Sequence, residues 1–120
     1  MFVISVVDDD RSVRRSLGRA LRSAGYAVEG FASAQEFLDS SPLGRVACLV
    51  LDLRLEGMTG FQLQERLTAA RPAIPIIFIT AHDDARTRDR VAHADVAGYL
   101  PKPFGVDALL NAVRRALGRT

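Results

Sequence analysis

The sequence predicts an α/β domain built on a doubly wound sheet of five parallel strands. Three observations lead there. Five short apolar runs alternate along the chain with five stretches whose apolar residues fall at helical spacing. Four of those runs stop at residues able to do chemistry: Asp8-Asp9-Asp10, Asp52, Thr80 and, just after Pro101, Lys102. The length of 120 residues, 48% of them hydrophobic, suits one domain spanning 1–120 with a single core.

Phe2 to Val7 is nearly all apolar and reads as a buried strand ending in acid. From Val13 the apolar residues Leu17, Ala20, Leu21 and Ala24 follow helical spacing, with Asp10 as N-cap and Gly25 as the stop. Tyr26 to Phe31 is a shorter strand, and Ser33-Ala34-Gln35-Glu36 is a capping box opening a helix with Phe37 and Leu38. That unit closes at Ser41-Pro42-Leu43-Gly44. Val46 to Leu51 is the third strand, delivering Asp52; a loop to Met58 follows. Thr59-Gly60-Phe61-Gln62 is a second capping box ahead of Leu63, Leu67 and Ala70, in a helix ending near Arg71-Pro72.

Ile76 to Ile79 is the most apolar tetrad and ends at Thr80. A polar helix is expected from about Asp84 to Ala94, with a weak apolar stripe of Ala85, Val91 and Ala92 that implies loose packing. Ala97 to Leu100 is the fifth strand, broken by Pro101-Lys102-Pro103. Val106, Leu109, Leu110, Val113 and Leu117 mark the last helix. Each parallel crossover needs a helix and is right-handed, so a flavodoxin-like sheet is the simplest solution. Ligand sites of such sheets lie outside the carboxyl ends of the strands, where strand order reverses.

Composition removes several classes. The apolar runs are short and interrupted, and the N-terminus lacks a basic leader with a cleavage site, so no membrane span is expected and the cytoplasm is the expected compartment. The single cysteine, Cys48, excludes an internal disulfide and a cysteine-based metal site. A net charge of +2, with arginines scattered among acids, does not indicate direct nucleic-acid binding. Fifteen of the sixteen basic residues are Arg, and Lys102 is the only lysine, a hint that a compact ammonium is needed there.

Carboxylates gathered at one sheet edge repel each other, and a divalent cation answers that need; Mg2+ takes a few hard oxygen ligands and keeps several waters. Such an ion bridges to phosphate oxygens, which makes Asp52 a candidate nucleophile for an aspartyl-phosphate. Thr80 and Lys102 would bind phosphoryl oxygens from the other side. Each feature alone also has a plain reading: Asp52 and Thr80 as turn residues, the acidic triplet as an N-capping loop, Lys102 as a solvated loop lysine.

Together, Val6-Val7-Asp8-Asp9-Asp10, Leu51-Asp52-Leu53-Arg54-Leu55 with Gly60 after it, Ile79-Thr80-Ala81 and Tyr99-Leu100-Pro101-Lys102-Pro103-Phe104 resemble the receiver domains of bacterial two-component response regulators. The wording of Thr80-Ala81-His82 and Lys102-Pro103-Phe104 is most similar to the FixJ-type branch of DNA-binding regulators. The resemblance implies a (βα)5 receiver fold and a phosphorylation-dependent switch, not an enzyme, with slow self-dephosphorylation. It implies Asp52 as phosphoacceptor and a Mg2+ site made by Asp8, Asp9, Asp52 and the main-chain carbonyl of Arg54. Thr80 and Lys102 would bind the phosphoryl group, Thr80 and Tyr99 would switch, and the Lys102–Pro103 bond would be cis. Arg54 and His82 would tune dephosphorylation. The implied partners are a sensor histidine kinase, a phosphorylation-dependent second copy through the fourth helix and fifth strand, and a DNA-binding output domain beyond Thr120.

Two positions depart from the family wording: Glu56 stands where proline is common, and Asp95 where glycine often ends the fourth helix. They leave room for an alternative, a phosphorylation-independent dimerisation or interaction module. An aspartyl phosphatase would want a second acid where Arg54 stands, and a flavin carrier would want a glycine-rich loop in place of Asp8-Asp9-Asp10.

Overall fold

The structure, a computed structural model, describes residues 2–40, 42–70 and 74–118. In chain order the elements are β1 (Val3–Val7), α1 (Arg11–Ser23), β2 (Val28–Phe31), α2 (Ala34–Ser40), a 3-10 turn (Leu43–Arg45), β3 (Val46–Asp52), α3 (Gly60–Ala70), β4 (Ile76–Thr80), α4 (Ala85–Ala92), β5 (Gly98–Pro101) and α5 (Val106–Leu117). The expected helix ends at Ser41 and at Arg71-Pro72, and Thr120, lie outside the described residues. No helix among those described is long and apolar enough to cross a membrane.

The strands pair in the order β2-β1-β3-β4-β5, all parallel. Period-two alternation sends successive side chains to opposite faces, so a nearly continuous apolar strand feeds two cores. In β3, Leu49 and Leu51 join Phe31, Phe37, Leu63, Leu67 and Phe78 beneath α2 and α3. Cys48 and Val50 join Ile4, Val6, Leu21, Ile77 and Leu109 beneath α1 and α5. Burial pushes the Cys48 thiol up to about 12, so it is an inert packing residue at neutral pH.

Local chemistry fixes the element ends. Asp10 accepts from the N–H groups of Ser12 (2.8 Å) and Val13 (3.2 Å), starting α1, and Gly25 at φ +98° ends it. Thr59 and Gln62 form a reciprocal capping box: Gln62 N–H donates to Thr59 Oγ1 at 3.2 Å, and Thr59 N–H to Gln62 Oε1 at 2.8 Å. Ser33 Oγ accepts from Glu36 N–H at 3.0 Å.

Some expectations are corrected. Phe2 precedes β1 and is 70% exposed. The second strand starts at Val28, since the chain is still returning from α1 at Tyr26. Pro101 does not break the fifth strand but is its last residue, tolerated because β5 is an edge strand. In α4 only Val91 is buried, and Ala85 and Ala92 are exposed. Asp95 takes no left-handed geometry: among the described residues only Gly25 and Gly57 have positive φ.

Candidate functional site

Strand order reverses between β1 and β3, and their carboxyl ends deliver the acids. Asp8 is fully buried just past β1. Its Oδ1 accepts the N–H of Asp10 at 2.9 Å and its Oδ2 accepts Lys102 Nζ at 2.9 Å. Asp52, 5% exposed, ends β3; its Oδ1 accepts the N–H of Arg54 at 3.0 Å, and Lys102 Nζ stands 3.3 Å from its Oδ2. Asp9 is exposed, yet Asp8, Asp9 and Asp52 each offer a carboxylate oxygen within 4.8 Å of the others.

The electrostatics follow from that crowding. Burial raises the Asp52 carboxyl above its usual range; the charge of Asp8 adds to this, and the Arg54 N–H and Lys102 offset it only in part. At Lys102 burial opposes the charged form, but the bond to Asp8 and the charge of Asp52 outweigh it and raise its pKa. The ammonium is thus firmly charged and is the only cation bridging the two buried acids among the described residues. Three carboxylates with hard oxygens, one of them solvent-facing, fit the ligand preferences of a divalent cation such as Mg2+.

The remaining residues of interest surround this centre. Thr80, 1% exposed, ends β4 beside β3; its Oγ1 accepts the N–H of His82 at 3.0 Å, and its carbonyl accepts Lys102 N–H at 2.7 Å. The Lys102–Pro103 peptide bond is cis. The side chains of Arg54 and His82 are exposed on the two flanking loops. Tyr99, half-buried on β5, is not bonded to Thr80. Its hydroxyl donates to Asp83 Oδ1 at 2.7 Å, and burial together with that bond pushes it up to about 12.

Three further contributors have roles that the sequence did not reveal. Arg14, one turn into α1, donates from Nη1 to the main-chain carbonyl of Asp8 at 2.7 Å and so pins the acidic loop. Gly60 lets α3 approach the loop after β3: a Cβ there would lie 2.7 Å from the Asp52 carbonyl oxygen and 2.8 Å from Leu53 Cα. Asp83 gathers Tyr99 and Arg88, whose Nη1 is 3.2 Å from its Oδ1. Only Gly60 left a signal, a glycine directly inside a capping box.

Comparison with known proteins agrees with this geometry. The sequence model of the response regulator receiver domain matches residues 4–114. Nodulation protein W of Bradyrhizobium diazoefficiens is 43% identical over 117 residues, covering 98% of this chain and 52% of that protein. The transcriptional regulatory protein FixJ of Azorhizobium caulinodans is 39% identical over 118 residues, covering 98% and 56%. The chain spans about half the length of the curated relatives it matches. Among solved structures, response regulator StyR superposes with a TM-score of 0.88 at 48% identity, covering 97% of this chain and 59% of that one. A response regulator receiver protein from Burkholderia phymatum gives 0.85 at 41% identity, covering 100% and 98%. With its five parallel strands, its acidic crevice and a family match running through nearly every element, the chain belongs to the response regulator receiver domains of two-component systems.

Proposed function

We propose that residues 1–120 form one receiver domain in which Asp52 accepts a phosphoryl group from a sensor histidine kinase. The observation that carries the reading is the setting of the Asp52 carboxylate: Lys102 Nζ is 3.3 Å from Oδ2, and two further carboxylates lie within 4.8 Å. Asp8, Asp9, Asp52 and the main-chain carbonyl of Arg54 would hold Mg2+. When bound, that ion neutralises charge on the attacking carboxylate and on the phosphoryl oxygens.

A carboxylate oxygen of Asp52 attacks phosphorus, the bond from phosphorus to the kinase imidazole nitrogen breaks, and the leaving nitrogen regains a proton from solvent. Lys102 exchanges its contact with Asp52 Oδ2 for a phosphoryl oxygen. Thr80 turns its hydroxyl from the His82 N–H toward a second oxygen. These contacts exist only in the phosphorylated state, so they shift the population of conformers. Tyr99 follows Thr80, and the surface of α4, β5 and α5 changes to control a second copy or a DNA-binding output domain. Arg54 and His82 flank the acyl phosphate and limit the approach of water, which makes its hydrolysis slow. The domain acts in the cytoplasm as a signalling module.

Intact mass after incubation with Mg2+ and acetyl phosphate tests the reading. A single magnesium-dependent phosphoryl adduct, absent in Asp52→Asn, is expected. No adduct on the natural chain would instead identify a phosphorylation-independent interaction module.

A further inference from the structure

Next to Thr80, a recess of about 370 Å³ opens between the loop after β3, the start of α3 and α4. Its polar lining is Arg54, Arg90, Thr59, Thr80 and Thr87, and no carboxylate lines it. The guanidinium of Arg90 lies 4.1 Å from the centre of the Phe61 ring, and Phe61 is held edge-on by Phe78 at 5.1 Å between centroids. Arg90 is thereby set in place by stacking and keeps its N–H donors free.

Other arginines are used differently. Arg88 is committed to Asp83, Arg14 to the Asp8 carbonyl and Arg22 to the Val28 carbonyl. Among the described residues, neither Arg54 nor Arg90 has an ion-pair partner. Asp84 is close enough to feel the charge of Arg54, but its carboxylate is occupied by the backbone N–H and the hydroxyl of Thr87. The hydroxyls of Thr59 and Thr80 each accept one backbone N–H, which leaves each O–H free to donate. The recess thus offers donors without matching acceptors, a composition that suits an oxyanion and repels a cation.

We propose that this recess binds a small phosphate-class dianion, free phosphate or a phosphate monoester, between Arg54 and Arg90. The volume exceeds what bare phosphate fills, so a monoester with a short organic tail fits as well. An occupant would tie α4 to the loop that carries Arg54. The site does not depend on whether Asp52 is a phosphoacceptor.

The test is a titration of the natural chain with inorganic phosphate, and separately with methyl phosphate, in EDTA at constant ionic strength. It is followed by backbone and arginine Nε–H nuclear magnetic resonance. Neither probe transfers a phosphoryl group, and without metal the acids of the crevice repel both, so failure here is distinct from failure of Asp52 to accept phosphate. Saturable shifts confined to the lining residues Arg54, Leu55, Thr59, Thr80, Thr87 and Arg90 are expected. Arg90→Ala should weaken binding by about tenfold, Arg90→Lys by less, and Arg15→Ala on α1 not at all. Non-saturating shifts, shifts spread equally over the arginines of α1, or an affinity unchanged in Arg90→Ala would overturn the proposal. Saturation by methyl phosphate alone would assign the site to monoesters, and saturation by both to the shared dianion.

Discussion

At Gly60 one absent methyl group sets how closely α3 approaches the loop leaving Asp52. The atoms that a methyl would strike, the Asp52 carbonyl oxygen and Leu53 Cα, belong to the backbone and cannot rotate away. Gly60→Ala should therefore destabilise the domain by about 2 kcal/mol in urea unfolding and displace Asp52 with it. Gly18→Ala is the contrast: its nearest neighbour is the mobile end of Arg22 at 3.1 Å, and α1 gains helix propensity, so stability should hold or rise. Equal losses in both variants would refute the close-approach account. The same scale shows what a sequence conveys. Asp8, Asp52, Thr80 and Lys102 were legible because strand ends in a doubly wound sheet share one edge. Arg14 was not, because its partner is a main-chain carbonyl six residues back and the contact depends on how α1 is rotated.

Among the described α-helices, α4 buries the fewest residues. Val91 is its only buried residue, whereas α5 buries Leu109, Ala112, Val113 and Ala116. The weak apolar stripe already announced this, although it named Ala85 and Ala92, which face solvent; periodicity finds a face but not which small residues on it are covered. What holds the entry to α4 is polar: Asp83 accepts from Tyr99 and pairs with Arg88, and Asp84 caps the first turn through Thr87. These partners come from β5 and from the helix itself, a pairing across sixteen residues that no local pattern encodes. Asp83→Ala should raise amide hydrogen exchange in 86–92 by about threefold to tenfold, because a part-exposed charged hydrogen bond contributes on the order of 1 kcal/mol. Exchange in α1 should stay as it was. Unchanged exchange in α4, or an equal rise in both helices, would show that Asp83 is no latch.

For the whole molecule, the two apolar cores carry a cost concentrated at one edge. Burial and the neighbouring Asp8 raise the Asp52 carboxyl, so its charged form is disfavoured by folding. For a carboxyl with a raised folded pKa, the favourable contribution is present at low pH and is lost as pH rises through the folded value; at pH 7 Asp52 is a net burden. Removing its charge should relieve that burden, even though the Lys102 contact at 3.3 Å goes with it, because Lys102 keeps Asp8 at 2.9 Å. In EDTA at pH 7, Asp52→Asn is therefore expected to melt higher than the natural chain. Mg2+ should invert the order. At about ten times its dissociation constant the ion adds about 1.4 kcal/mol to the natural chain, worth several degrees in a domain of this size, and little to Asp52→Asn, which has lost a ligand. Two melting curves with and without Mg2+ for each protein decide the matter: crossing stabilities would mean that the acidic edge is strained for the sake of a cation, and parallel ones would mean that it is an ordinary solvated loop.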